Sequence, residues 1–438
     1  MSTLGFEFEL FLLNNEGRVV NESDRVMKET KVDFFVKEIS ESMVEIRGEP
    51  HLQVRGILRN FFENLEKLIE ISQRMDLYFY PYGTYPGRSS PNFRSSTWYD
   101  TIKMNFGSRA IEIFPKVCGF HFHFCAPPGI ISDPSGEMDF SFAVKNKKKV
   151  DILLGLYNFL VAADPAITTF MQSSPFFEGK YYGKDSRMVV WRNFSKKDGF
   201  PVDGLFLKHP QFNILPSYKD SVYSISDSAR KNKESWLEMV DNYSHNLDPE
   251  LIQRPSLKYG WGPVRVNPIG TLEQRGMDMN TPMHVLGVSS LLKRIMKPIF
   301  HGELKVVVAD FAIKEPFKIE GDTIYIPPFE HVYDLQFDSA RDGFDSPKIY
   351  EYCKAFYRSA MKLNSANKIL VKEIVHMIEK NKTKSDDIIA IAGKKGVDLK
   401  TAEPSNEVWA SIALNLSHKF YEQSQEALKL IGDNFEVA

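Results

Sequence analysis

Apolar and polar residues alternate strictly at three places in the chain, and each alternation is the period-2 signature of a strand with two unlike faces. The first is Gly5-Phe6-Glu7-Phe8-Glu9-Leu10-Phe11 and the second Val117-Cys118-Gly119-Phe120-His121-Phe122-His123-Phe124. The third is Thr271-Leu272-Glu273-Gln274-Arg275, within a strand-like stretch at 264–278. Successive strand side chains point to opposite faces, so Glu7 joins Glu9, His121 joins His123, and Glu273 joins Arg275 on one side. The helical spacing of Leu58, Phe61, Phe62, Leu65, Leu68, Ile69 and Ile71 predicts a helix over 52–76. Further helices are predicted at 148–172, 229–243, 282–298, 347–381, 384–394 and 405–433.

Between these elements the pattern is less regular. Asn14-Asn15-Glu16-Gly17 reads as a turn into a return strand at 18–20. Segment 31–47, apolar at Val32, Phe35, Val36, Ile39, Met43, Val44 and Ile46, begins with helical or irregular spacing and ends as a strand. A strand is predicted at 77–81, and a strand pair at Phe317-Lys318-Ile319 and Thr323-Ile324-Tyr325-Ile326. Stretch 89–105 is irregular or loosely helical, while 126–146 and 200–228, the latter with short helices, read as loops that could serve as a lid. Asp185-Ser186-Arg187 falls in a loop after a helix break at Ser173-Ser174-Pro175. No repeat or low-complexity linker divides the chain, so helical residues 341–438 are expected to pack on a core formed by 1–340.

The polar members of the alternations carry the chemistry. Two carboxylates on one strand face repel each other unless a cation lies between them. Taken singly, each signal has a bland explanation: a solvated Glu-x-Glu face, a core histidine, a cross-strand ion pair. Together with Glu38 and Glu45 they form a set of hard oxygen donors and imidazoles that suits Mg²⁺ or Mn²⁺. Carboxylates converging with Arg275 fit a nucleotide–metal site, with the arginine steadying charge on a transferred phosphoryl group. No P-loop, G-x-G-x-x-G or G-x-S-x-G competes for this role.

Composition adds exclusions. A formal net charge of −2 gives no basic field for nucleic acid. Three cysteines without a C-x-x-C spacing argue against a disulfide framework or a thiolate zinc site. No leader-like start and no apolar run of membrane-spanning length is apparent, so a soluble, cytoplasmic protein is expected.

The ordered set Gly5-x-Glu7-x-Glu9, Glu38 and Glu45, Gly83-Thr84-x-Pro86, Gly119-x-His121-x-His123, Ser174-Pro175-Phe176-x-x-Gly179 with Ser186-Arg187, and Gly270-Thr271-x-Glu273-x-Arg275-x-x-Asp278 resembles glutamate–cysteine ligase family 2. The resemblance runs from Gly5 to about Asp278 and implies an α+β, glutamine-synthetase-like catalytic fold, with a curved, mostly antiparallel sheet and outer helices. It implies ATP-dependent amide formation between a carboxylate, glutamate, and an amine such as cysteine, through an acyl phosphate. By the same resemblance Glu9, Glu38 and Glu45 hold one metal, and Glu7, His121 and Glu273 the metal on the nucleotide phosphates. His123 stands beside the phosphates and Arg275 stabilises the transferring group. Arg187 and Arg265 take the substrate carboxylate or phosphates, with Arg88 a lesser candidate. The family loop reads Gly-Thr-His-Pro where this chain has Gly83-Thr84-Tyr85-Pro86, which implies an altered acceptor pocket. Glu9→Ala and Glu273→Ala are each expected to abolish turnover and leave the fold intact. Phosphoryl transfer to a nitrogen group, a non-catalytic nucleotide or amino-acid sensor, and a metal-dependent hydrolase are the competing readings. Expected partners are small molecules, with no nucleic acid or membrane, and a homodimer is one possible assembly.

Overall fold

The computed structural model describes residues 2–30, 35–132, 135–244, 247–310, 312, 314–363, 368–399 and 404–433. Its centre is a seven-stranded antiparallel sheet. The strands are β1 (Leu4–Asn14), β2 (Phe35–Lys37), β3 (Met43–Arg47), β4 (Leu77–Tyr80) and β5 (Gly119–Cys125). After a two-stranded hairpin, β6 (Phe176–Phe177) and β7 (Lys180–Tyr181), come β8 (Val264–Asn267) and β9 (Thr271–Asp278). Sheet order is β2-β3-β1-β5-β9-β8, with β4 also paired to β1. A second sheet joins β10 (Lys305–Val308), β11 (Ile319–Glu320) and β12 (Thr323–Ile326).

The three alternating stretches are thus the three central strands, and their apolar halves form the core. Phe6, Phe8, Phe120, Phe122 and Phe124 are buried, and the Phe8 ring stacks at 3.6 Å on Phe61 of the helix Val54–Gln73. Burying one such ring contributes about 2–3 kcal/mol. The helices Lys147–Met171 and Pro282–His301 complete this layer. Contrary to the sequence expectation, Lys147–Met171 is long and apolar enough to cross a membrane; 67% of its most apolar window is buried inside the fold, as in a core helix.

Other departures are local. The expected return strand at 18–20 is a single bridge, Leu13 to Val19. A helix, Ser23–Thr30, precedes the 31–47 stretch, whose residues 31–34, Val32 among them, lie outside the described residues. The loosely helical reading of 89–105 meets the helix Thr97–Phe106, capped by Ser96, while 126–146, read as a loop, contains Phe140–Lys145. The helix expected at 229–243 already begins at Val222, inside the stretch read as a loop. In 347–381, helix Pro347–Leu363 and helix Lys372–Lys380 are separate elements. The C-terminal helix Asn406–Asp433 packs on β4: Ser417 Oγ donates to Phe79 O at 2.6 Å, and Phe79 N donates to Tyr421 Oη at 2.7 Å.

Candidate active site

Antiparallel register brings the polar halves of the strands together. Directly opposed residues share a sheet face, and Glu7 lies opposite both His121 and Arg47, Glu9 opposite Glu45, and Glu273 opposite both His123 and Arg265. Strand β9 carries one extra residue at Arg275-Gly276, between the pairs Phe122–Gln274 and Phe120–Met277. Such a bulge re-aims side chains, and Arg275 keeps the same face as Glu273, with Nη1 donating to Glu273 Oε1 at 3.2 Å. Gly119 leaves room for the Arg187 guanidinium, from which a Cβ here would stand 2.5 Å.

Two donor clusters result. Ligand atoms of Glu9, Glu38 and Glu45 lie within 4.8 Å of one another, as do those of Glu7, His123 and Glu273. His121 stands between them, with Nδ1 2.8 Å from Glu7 and Nε2 3.5 Å from Glu9. The geometry thus groups His123, where the resemblance expects His121, with Glu7 and Glu273. His123 is the one opposite Glu273, and its Nδ1 lies 3.0 Å from Thr271 Oγ1. His123 Nε2 is buried and lies 3.5 Å from Glu7 Oε1.

Electrostatics divide the clusters. Burial and the neighbouring Glu45 outweigh Arg187 and push Glu9 up to about 7. Burial, then Glu7 and Glu38, raises Glu45 well above the carboxylate range, and burial also raises Glu38. Around Glu7 burial is outweighed by hydrogen bonds to His121 and His123, which hold it low. At Glu273 burial is outweighed by Arg265 and Arg275, which hold that carboxyl low. Glu273 is fully buried and accepts from Arg265 Nε at 2.7 Å and Asn267 Nδ2 at 2.7 Å. A crowded all-oxygen set with raised proton affinity, and a buried imidazole nitrogen facing carboxylates, are what a divalent cation would relieve. These residues fit hard cations.

That crowding sets a pH dependence. A carboxyl raised in the fold contributes stability below its unfolded pKa and loses it as pH rises through the folded value. His123, which Glu273 and Glu7 raise against the opposing effect of burial, adds to this; His121, lowered by burial and Arg275, opposes it. Chelated protein is expected to lose on the order of 1–3 kcal/mol between pH 5 and 8. Mg²⁺ should restore the melting temperature at pH 8 and have little effect at pH 5.5. Equal melting at both pH values under chelation would contradict it.

A cavity of about 90 Å³ opens on this face, lined by Glu9, Glu38, His121, Arg187 and Arg275. Trp98, Tyr99, Phe114, Trp191 and Trp261 line it too. Arg187 opens the helix Ser186–Trp191, where the sequence pattern suggested a loop; its backbone N donates to Ser174 Oγ at 3.2 Å and its Nη1 to Gly276 O at 3.3 Å. Arg265 ends a second cavity, about 350 Å³, lined by Tyr157, Phe212, Lys219, Asn232 and Tyr259 among others. Arg88 lines neither cavity; its backbone N and O bond Asn406. Tyr85 lines neither cavity either. It is buried, with its hydroxyl donating to Gly17 O at 3.1 Å and its ring against Tyr80. The His-to-Tyr departure therefore falls outside both of these cavities.

The sequence reading missed Arg47, whose Nε lies 2.5 Å from Glu45, and Asn267 and Thr271, which hold Glu273 and His123. Arg47 was reachable, since it continues the alternation from Glu45. The tryptophan wall was not, being drawn from three separate segments.

An antiparallel sheet backed by helices thus gathers carboxylates, imidazoles and arginines on one face, a donor set suited to cations and phosphates. The model of glutamate–cysteine ligase family 2 matches residues 3–306, and the chain belongs to that family. It is by family an ATP-dependent carbon–nitrogen ligase. Its structure is similar to that of the glutamate–cysteine ligase of Francisella tularensis in complex with AMP, at 13% identity and a TM-score of 0.60, covering 100% of this chain and 95% of that one. It is also similar to a bifunctional glutathione synthetase from Pasteurella multocida, at 13% identity and a TM-score of 0.57, covering 96% of this chain and 53% of that one. A search of the curated proteins found no match.

Proposed function

We propose that the protein joins glutamate to a small amine, giving a γ-glutamyl amide at the expense of ATP. The observation that carries this is the pair of donor clusters flanking His121, with Arg187 and Arg275 facing the same cavity. A carboxylate does not react with an amine until one oxygen becomes a leaving group. In this reading a carboxylate oxygen attacks the γ-phosphorus, the bond to ADP breaks, and an acyl phosphate forms. The amine nitrogen then attacks the acyl carbon, phosphate departs, and the nitrogen gives up a proton.

Glu9, Glu38 and Glu45 would hold one divalent cation, Mg²⁺ or Mn²⁺, and Glu7, His123 and Glu273 another. Such cations neutralise phosphate oxygens. Arg275 supplies fixed positive charge where the phosphoryl group moves, and Arg187 orients the carboxylate. The nucleoside would occupy the cavity that ends at Arg265, against Tyr157, Phe212 and Tyr259. The aromatic wall keeps water from the acyl phosphate.

Purified protein with ATP, Mg²⁺, glutamate and a panel of amines including cysteine is expected to release phosphate only when carboxylate and amine are both present. Mass spectrometry should find the amide. Phosphoryl transfer without an amide, or nucleotide binding without turnover, would overturn the reading.

A further inference from the structure

The cavity that holds Glu9, Arg187 and Arg275 is also lined by the rings of Trp98, Tyr99, Phe114, Trp191 and Trp261. All five belong to one aromatic cluster. Trp98 stacks on Trp236 at 5.1 Å and on Trp261 at 5.7 Å, while Phe114 meets Trp191 edge-on at 4.6 Å and Trp261 at 5.6 Å. Rings held against one another in this way cannot turn aside without losing those contacts. Phe206 and Trp236, members of the cluster that do not line this cavity, are sealed from solvent, whereas Trp98, Tyr99, Trp191 and Trp261 are each partly exposed. A rigid aromatic surface left partly open beside polar machinery suits the apolar body of a ligand.

Charge narrows that ligand further. Among the described residues, Arg187 and Arg275 are the guanidinium groups that line this cavity, and no lysine does. Arg275 donates to Glu273 and Arg187 to Gly276 O, and in the ligase reading both serve the donor and the moving phosphoryl group. The carboxylates of Glu9 and Glu38 line the same space. A second substrate carrying its own carboxylate would place it among rings and carboxylates, and burying an anion without a partner is costly. An amine without one arrives as an ammonium, which aromatic faces and carboxylates both attract.

We infer that the acceptor is a primary amine with an apolar body and no carboxylate, and not an α-amino acid. Its nitrogen reaches the acyl carbon beside Arg187 and Arg275, and its alkyl or aryl part lies against Trp98, Trp191 and Trp261. The nitrogen attacks the acyl carbon, phosphate leaves with the electrons of the C–O bond, and the nitrogen gives up a proton. This assignment rests on the ligase reading above and adds the class of amine.

The test sets amines against the amino acids that differ from them only by the carboxylate: phenethylamine against phenylalanine, isobutylamine against valine, and cysteamine against cysteine. With glutamate and ATP saturating, wild type is expected to favour each amine by about 30-fold or more in kcat/KM. The KM for phenethylamine is expected to fall at least about 10-fold below that for ammonia. Trp261→Ala should raise the KM for phenethylamine about 10- to 30-fold and leave the KM values for ATP and glutamate within about 3-fold, with part of the loss recovered by Trp261→Phe. General damage to the fold would move all three KM values together, and if the alanine variant does not fold, the paired comparison in wild type decides alone. Amino acids used as well as their decarboxylated partners, ammonia used in preference to every larger amine, or an unchanged phenethylamine KM in Trp261→Ala overturns the inference and leaves the ligase reading standing. No phosphate release that depends on both a carboxylate and an amine overturns both.

Discussion

A Glu9→Gln protein is expected to lose turnover by about 10³-fold or more and, once chelated, to melt above the wild type at pH 8. Glu273→Gln is expected to lose turnover to the same extent and to melt below it. The two carboxylates look equivalent in the sequence, each on the polar side of an alternating strand, and the structure gives them opposite electrostatic roles. Glu9 sits among Glu38 and Glu45 and is pushed up to about 7 by burial and by Glu45, so without a cation its charge is a liability. Glutamine removes that repulsion and also removes a ligand. Glu273 is the counter-charge of two guanidiniums, at 2.7 Å from Arg265 and 3.2 Å from Arg275, and is fully buried. Taking its charge away leaves those cations uncompensated, which costs about 3–5 kcal/mol when such a pair is buried. The electrostatics therefore predict that losing Glu9 spares the fold and losing Glu273 does not. Phosphate release together with melts in chelator and in Mg²⁺ checks both halves. Retention of more than a tenth of the activity by either variant would remove that residue from the cation clusters.

The contrast shows what a sequence carries and what it hides. Strict alternation at 5–11, 117–124 and 271–275 made β1, β5 and β9 legible, because a strand with one buried and one polar face writes a period of two. Which residues share a face follows from the same period. Which residues oppose each other across strands does not, because register is set by pairing and by the bulge at Arg275-Gly276. That is why His123 and not His121 groups with Glu7 and Glu273, and why Glu7 and Glu9, two residues apart, end in different clusters. Short elements such as Ser23–Thr30 and Ser186–Trp191 hold too few turns for a period to show. Tyr85 carries a further lesson. A departure inside a family motif looked like a change of substrate pocket, yet the side chain packs beneath the turn at Gly17. The motifs around Ser174 and Asp278 act indirectly too. Asp278 accepts from Ser173 N at 2.9 Å, and Ser174 Oγ receives the Arg187 backbone, so they seat an arginine and need not touch substrate themselves.

Arg275→Ala is expected to lower kcat by about 10³-fold while the KM for ATP changes by less than about 5-fold. Arg275 lies beside Glu9, His121 and Arg187 on the wall of the small cavity, with one nitrogen tied to Glu273 and the remainder of its fork directed elsewhere. A group that meets charge only as the phosphoryl moves contributes to the barrier and little to ground-state binding. Arg265 has the complementary position. Its Nε bonds Glu273, its Nη1 donates to Gly260 O at 3.1 Å, and it lines the larger cavity proposed for the nucleoside. Arg265→Ala should therefore raise the KM for ATP, with a smaller effect on kcat. Arg275→Lys separates charge from geometry. Lysine keeps the positive charge but presents no planar fork, so a loss of about 10- to 100-fold would show that paired hydrogen bonds to the moving oxygens matter beyond charge alone. Steady-state kinetics at saturating amine decide the matter, and an Arg275→Ala protein that loses ATP affinity while keeping kcat would reassign the residue to nucleotide binding.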